Sequence, residues 1–124
     1  MSEKILVVDD ELAFCEVLRD FLVSKGFQVV IANGGDEALK VYPEEKPSIV
    51  LMDVRMPGKD GLTTLKELKA ADPKVKAVMV SAVHDEEVVR QAKAEGAFYI
   101  HKPINFQYLE LAILTKLGQT IFAR

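Results

Sequence analysis

Short runs of apolar residues punctuate the chain at Ile5–Val8, Val29–Ala32, Ile49–Met52 and Ala77–Val80, with a weaker run at Phe98–Ile100. They are rich in Val and Ile and do not alternate with polar positions. That pattern predicts strands buried on both faces of a parallel sheet. Between them the apolar residues fall at helical spacing. Phe14, Val17, Leu18, Phe21 and Leu22 mark one stripe, which Lys25-Gly26 closes with a cation in the last turn and a glycine cap. Ala38, Leu39 and Val41-Tyr42 predict a second helix that stops before Pro43. Leu62, Leu65 and Leu68 predict a third, ending by Asp72-Pro73; Val88, Val89 and Ala92 a fourth, ended by Gly96; and Phe106, Leu109, Ile113 and Leu117 a fifth. Strand and helix thus alternate five times, which predicts an α/β domain with a doubly wound parallel sheet and helices on both faces.

In such sheets ligands bind beyond the carboxyl ends of the strands, so the residues that close each apolar run matter most. The first run ends in Asp9-Asp10 followed by Glu11, the third in Asp53, the fourth in Ser81, and the fifth leads into Lys102-Pro103. Asp9, Asp10 and Asp53 therefore converge on one edge with a hydroxyl and an ammonium. Carboxylates this close resist ionising together unless a cation sits among them. With no His or Cys cluster beside them, the implied metal is hard and oxygen-loving, and Mg2+ fits best. A phosphoryl group with an aspartate as its acceptor completes the picture. Taken singly, each residue has a plainer role: Asp9-Asp10 as a helix cap, Asp53 and Ser81 as turn or cap residues, Lys102 as a solvated cation. Their joint arrival at the ends of four strands favours a site.

The 124 residues suit one domain, expected to span 1–124 with its core at about 4–118. A net charge of -3 gives no electrostatic reason to expect nucleic acid as a partner of this chain alone. No apolar stretch is long enough to span a membrane, so no membrane association is expected. Cys15 is the only cysteine, which excludes an intrachain disulfide and suits a small core residue. A lone thiol and no export signal point to the cytoplasm as the expected location. Residues 119–124 are expected to be a frayed end or the start of a linker.

The segments Ile5–Glu11, Val50–Gly61, Val80-Ser81-Ala82 and Lys102-Pro103 resemble the receiver domain of two-component response regulators, in order, spacing and strand placement. The resemblance runs from Lys4 to about Gly118. It implies a CheY-like, flavodoxin-like (βα)5 fold and a signalling switch rather than an enzyme with an external substrate. A partner histidine kinase or phosphotransfer protein presents a phosphohistidine, and the receiver catalyses transfer to its own aspartate. By this resemblance Asp53 is the acceptor, while Asp10, Asp53 and the backbone carbonyl of Arg55 bind Mg2+ directly and Asp9 reaches it through water. Lys102 and Ser81 bind the phosphoryl oxygens, and Ser81 moves toward them on phosphorylation. Tyr99 matches the switch aromatic that turns inward when the serine moves. The surface of the fourth helix, fifth strand and fifth helix then passes the signal to a downstream protein or a fused effector domain. Arg55 and Val83 occupy positions flanking the path of the hydrolytic water and are expected to tune the lifetime of the phosphorylated form. A cis Lys102-Pro103 bond is expected, as are close turns at Gly58 and Gly61 and a helix cap at Asp60.

The chain also departs from the family pattern. Gly96 to Lys102 is one residue shorter than the usual spacing, so counting from Gly96 puts the aromatic position on Ile100. Ala97 and Phe98 stand where regulators that dimerise through the fourth helix, fifth strand and fifth helix carry acidic residues. A monomer or a weak phosphorylation-dependent dimer is expected. His84 and His101 read as surface or strand-edge residues. Three rivals lack their marks or are disfavoured: a flavin or nucleotide module has no phosphate loop here, an aspartate phosphatase no D-x-D after the first strand, and a pure interaction domain would not need the five site residues. The sequence leaves open whether the chain stands alone or comes from a longer regulator.

Overall fold

The apolar runs become the strands β1 (Lys4–Val8), β2 (Gln28–Ala32), β3 (Ile49–Met52), β4 (Ala77–Ser81) and β5 (Phe98–His101) of a computed structural model that describes residues 3–119. The helices α1 (Leu12–Ser24), α2 (Gly35–Glu45), α3 (Gly61–Ala71), α4 (Glu86–Ala94) and α5 (Phe106–Lys116) alternate with them. All strands pair in parallel in the order β2-β1-β3-β4-β5. Of the segment 119–124, all but Gln119 lies outside the described residues. No helix among the described residues is long and apolar enough to cross a membrane.

Both faces of the inner strands β1, β3 and β4 are buried, which is why their runs do not alternate; on the edge strands β2 and β5, also expected to be buried on both faces, only Ala32 and Ile100 are buried. Ile5, Val7, Ile49, Leu51, Val78, Val80 and Ile100 pack with α1 and α5, while Leu6, Val8, Val50, Met52 and Met79 pack with α2, α3 and α4. Each fully buried Leu or Ile contributes roughly 1.5–3 kcal/mol relative to exposure. Tyr99 falls on the α4 side of β5 and Ile100 on the α1–α5 side.

Two expectations need correction. α2 does not stop before Pro43 but continues through it to Glu45. Pro43 sits in the last turn, where its missing N–H forfeits a single intrahelical bond, and the Lys46 N–H closes the end on the Tyr42 carbonyl at 2.9 Å. Val17, placed in the apolar stripe of α1, is 53% exposed. The sheet needs only the narrower stripe of Cys15, Leu18 and Leu22, with Phe14 and Phe21 half-buried beside it. The glycine cap is as expected, with Gly26 in the left-handed region at φ 93°, but Lys25 lies at the C-cap, one residue beyond the last turn in which a cation was expected.

Candidate functional site

Each strand-end residue is fixed by a backbone bond to a neighbouring strand. The Asp9 N–H donates to the Ala32 carbonyl at 3.2 Å, the Asp53 N–H to Val8 at 3.1 Å, and the Lys102 N–H to Ser81 at 2.9 Å. The register of the sheet therefore places the carboxyl ends of β1, β3 and β5, with Asp9, Asp53 and Lys102, at one edge. The Lys102-Pro103 bond that follows is cis, as expected.

The Lys102 ammonium stands 3.1 Å from Asp9 Oδ2, 3.1 Å from Asp53 Oδ2 and 3.7 Å from Glu11 Oε1. Its fourth neighbour is the ring of Phe14, whose centroid lies 4.1 Å away. The remaining oxygens of the two aspartates turn back on their own loops. Asp9 Oδ1 accepts the Glu11 N–H at 3.0 Å, and Asp53 Oδ1 accepts the Arg55 N–H at 3.2 Å. The helix-cap alternative for the acidic pair finds no support, since the N-cap of α1 is Glu11 and its side chain makes no cap bond.

Electrostatics follow from this burial. Desolvation pushes the Asp9 carboxyl above its ordinary value; the Glu11 N–H and Lys102 pull it down without cancelling that, and Asp53 raises it further. For Lys102, burial alone would favour the neutral amine, but Asp9 and Asp53 outweigh it and raise its pKa. Three carboxylates, from Asp9, Glu11 and Asp53, bring an oxygen each within 4.8 Å of one another. This hard, all-oxygen set fits a small dication such as Mg2+, which also offsets their mutual repulsion. Asp10, expected as a direct ligand, is exposed and outside that group; it borders an adjoining depression with Arg55 and Val83. Glu11 is the residue that the sequence reading passed over, because on a linear view it looks like the first turn of α1.

The loop after Asp53 comes close because of two glycines. A Cβ on Gly61 would lie 1.9 Å from the Asp53 carbonyl oxygen, and Gly58 has φ 77°. Gly61 instead donates its N–H to Val54 at 2.7 Å, and Asp60 caps α3 by accepting the Thr63 N–H at 2.8 Å. Ser81 is fully buried and its hydroxyl accepts the Val83 N–H at 3.2 Å; it shares an opening with Asp53, Arg55, His84 and Lys102. Tyr99 is half-buried and donates its hydroxyl to the Val83 carbonyl at 2.8 Å. Exposed His84 and His101 stack at 4.2 Å between ring centroids beside it. Cys15 is a buried core residue whose thiol, pushed up to about 11 by burial, donates to the Asp9 carbonyl at 3.4 Å.

Comparison with known proteins agrees with this arrangement. A family model of the response regulator receiver domain matches residues 5–114. The chain is 40% identical over 105 residues to the chemotaxis protein CheY of Bacillus subtilis, a match covering 83% of this chain and 88% of that one. It is 38% identical over 117 residues to the transcriptional regulatory protein ZraR of Escherichia coli, covering 94% of this chain but 26% of ZraR. It thus spans about a quarter of that regulator's length. Among solved structures, a CheY-like receiver domain protein from Methanospirillum hungatei superposes with a TM-score of 0.91 at 29% identity, over 95% of both chains. The response regulator TrrA of Thermotoga maritima, solved with Mg2+ and a beryllium fluoride, superposes at 0.84 with 29% identity over 92% of this chain and 98% of that one. By fold, by the acidic edge of its sheet and by sequence, this chain belongs to the response regulator receiver domains, the phosphorylation-driven switch modules of two-component signalling.

Proposed function

We propose that Asp53 is the residue that takes the phosphoryl group, from the phosphohistidine of a sensor kinase or a phosphotransfer protein. The observation that carries this reading is the Lys102 ammonium at 3.1 Å from both Asp9 and Asp53, beside the buried hydroxyl of Ser81. In the transfer an Asp53 carboxylate oxygen forms a bond to phosphorus as the phosphorus–nitrogen bond of the donor breaks. Lys102 turns its charge to the phosphoryl oxygens, and Ser81 gives up the Val83 N–H to donate to them. A bound Mg2+ would supply positive charge against the carboxylates and the phosphoryl oxygens. Asp53 would hold it with carboxylates from the start of α1: Asp9 and Glu11 are nearest, and the family pattern adds Asp10, the Arg55 carbonyl and a water on Asp9.

Movement of Ser81 would free Tyr99 from Val83 and change the surface formed by α4, β5 and α5, where a downstream protein or fused effector reads the state. The chain acts as one domain with its core at about 4–118, works in the cytoplasm, catalyses only its own phosphorylation and dephosphorylation, and binds no nucleic acid by itself.

Incubation with Mg2+ and acetyl phosphate should add one acid-stable, base-labile phosphate, lost in Asp53→Asn and without Mg2+. Labelling that persists in Asp53→Asn removes that residue from the role. Mg2+ titrations of Asp10→Ala and Glu11→Ala separate the two candidate ligands, the true one losing affinity about tenfold or more.

A further inference from the structure

We propose that Phe14 is a positioning residue for phosphoryl transfer: the face of its ring holds the Lys102 ammonium beside Asp53 while the lysine exchanges carboxylate partners for phosphoryl oxygens. The inference rests on the roles of Asp53 and Lys102 proposed above and adds a residue to them. Lys102 Nζ lies 4.1 Å from the Phe14 centroid, within the distance at which a ring quadrupole attracts a cation. The lysine side chain is 16% exposed, so water screens that attraction less than at a surface. Phe14 is itself fixed, since it packs against the core cluster that holds Cys15, Leu18 and Ile100. The gap it shares with Asp9 and Asp53 has no room for a water molecule.

The ring is useful because every other partner of the ammonium changes during the reaction. A dication held by Asp9, Glu11 and Asp53 would compete for the same lone pairs, and Asp53 would give one oxygen to the new bond with phosphorus. Phe14 offers no lone pair to a metal and carries no proton to lose. Attraction to a ring face does not depend on which way the N–H bonds of the ammonium point, whereas a hydrogen bond fails once its angle opens. The ammonium can therefore pivot toward the phosphoryl oxygens without passing through a state in which it is buried and unpaired. An aliphatic side chain of similar bulk would keep the packing and lose this attraction.

Phe14→Leu and Phe14→Tyr separate the two roles. In the free protein, the Lys102 ε-methylene protons should be displaced upfield by the ring current in the wild type and in Phe14→Tyr, and return to the ordinary lysine position in Phe14→Leu. With Mg2+ and acetyl phosphate, Phe14→Leu should label roughly three- to tenfold more slowly, and Phe14→Tyr within about twofold of wild type. Should Phe14→Leu fail to fold, Phe14→Met makes the same comparison. A folded Phe14→Leu that labels at the wild-type rate overturns the inference, as does a wild type with no ring-current shift. Wild type that takes no label at all brings down the role of Asp53, and this inference with it.

Discussion

Asp9 and Asp53 stand on strands that are built quite differently from the one carrying Tyr99 and Lys102. β1 and β3 lie inside the sheet, paired on both sides, with Ile5–Val8 and Ile49–Met52 buried throughout. β5 is an edge strand in which only Ile100 is buried, and of the residues of the neighbouring α4 only Ala92 is. Ala92 and half-buried Val88 pack α4 on the core, and its other contacts are polar: Lys66 donates to Gln91 at 3.0 Å, Lys69 to the Glu95 carbonyl at 2.6 Å and Lys116 to that of Gly96. Apolar packing falls away with any displacement, but such polar contacts can be broken and remade at nearly constant energy. The carboxylates thus sit on a platform that resists movement, and the surface proposed to report the state sits on an edge that tolerates it.

The sharpest way to break this contrast is to crowd the platform. Gly61→Ala forces a Cβ onto the Asp53 carbonyl and should cost roughly 3 kcal/mol or more in denaturant unfolding. Lys93→Ala, on an exposed position of α4, should stay within about 0.5 kcal/mol. Equal costs would erase the distinction. A second test lies where the two regions meet. Val83 offers no side-chain hydrogen bond and Arg55 can only donate, so neither can take a proton from a water attacking a phosphoryl group on Asp53, the acceptor proposed above. Arg55→Asn/Val83→Glu should shorten the half-life of the phosphorylated form several-fold, on the order of 1 kcal/mol in barrier. Unchanged decay would deny these positions a part in lifetime.

At the edge, Tyr99→Phe removes the bond to the Val83 carbonyl and should cost about 1 kcal/mol, with faster hydrogen exchange between β4 and α4 but undiminished labelling of Asp53. Loss of labelling would place Tyr99 in the chemistry instead. The smallest effect concerns Glu87, whose carboxyl Arg90, and next Gln91, hold at about 2 against an ordinary 4.5. A depressed folded value means that its contribution is present above the unfolded value and fades as pH falls from about 4.5 toward 2. Since Glu87 is fully exposed, the change should appear in local α4 resonances and hardly in global stability. A titration midpoint near 4.5 would show that the pair does not form.

The same contrast explains what could be read from the chain beforehand. Buried parallel strands announce themselves as unbroken Val and Ile runs, and the residues ending them are fixed in space once the sheet is recognised; Asp9, Asp53, Ser81 and Lys102 were legible for that reason. Glu11 was not, because its reach toward Asp53 depends on where α1 begins. Pro43 misled because a proline in a last turn costs far less than one in mid-helix. Val17 misled because hydropathy reports an apolar residue and not the width of the buried stripe. The Phe14–Lys102 contact joins the first helix to the end of the last strand, and no local pattern encodes that pairing.

The strand order also divides the charges of the site between interior and edge. β1 pairs with β2 and β3, β3 also with β4, and β5 completes the row by pairing with β4 alone. Strands β1 to β4 bring Asp9 and Asp53 together, while their counter-charge, Lys102, is tethered through β5. Release of β5 would leave two acidic groups facing each other without that charge, a state that favours a proton or a borrowed cation between them. The last strand is thus held by electrostatics as well as by the burial of Ile100. Loosening that edge and uncovering the acidic pair are one event.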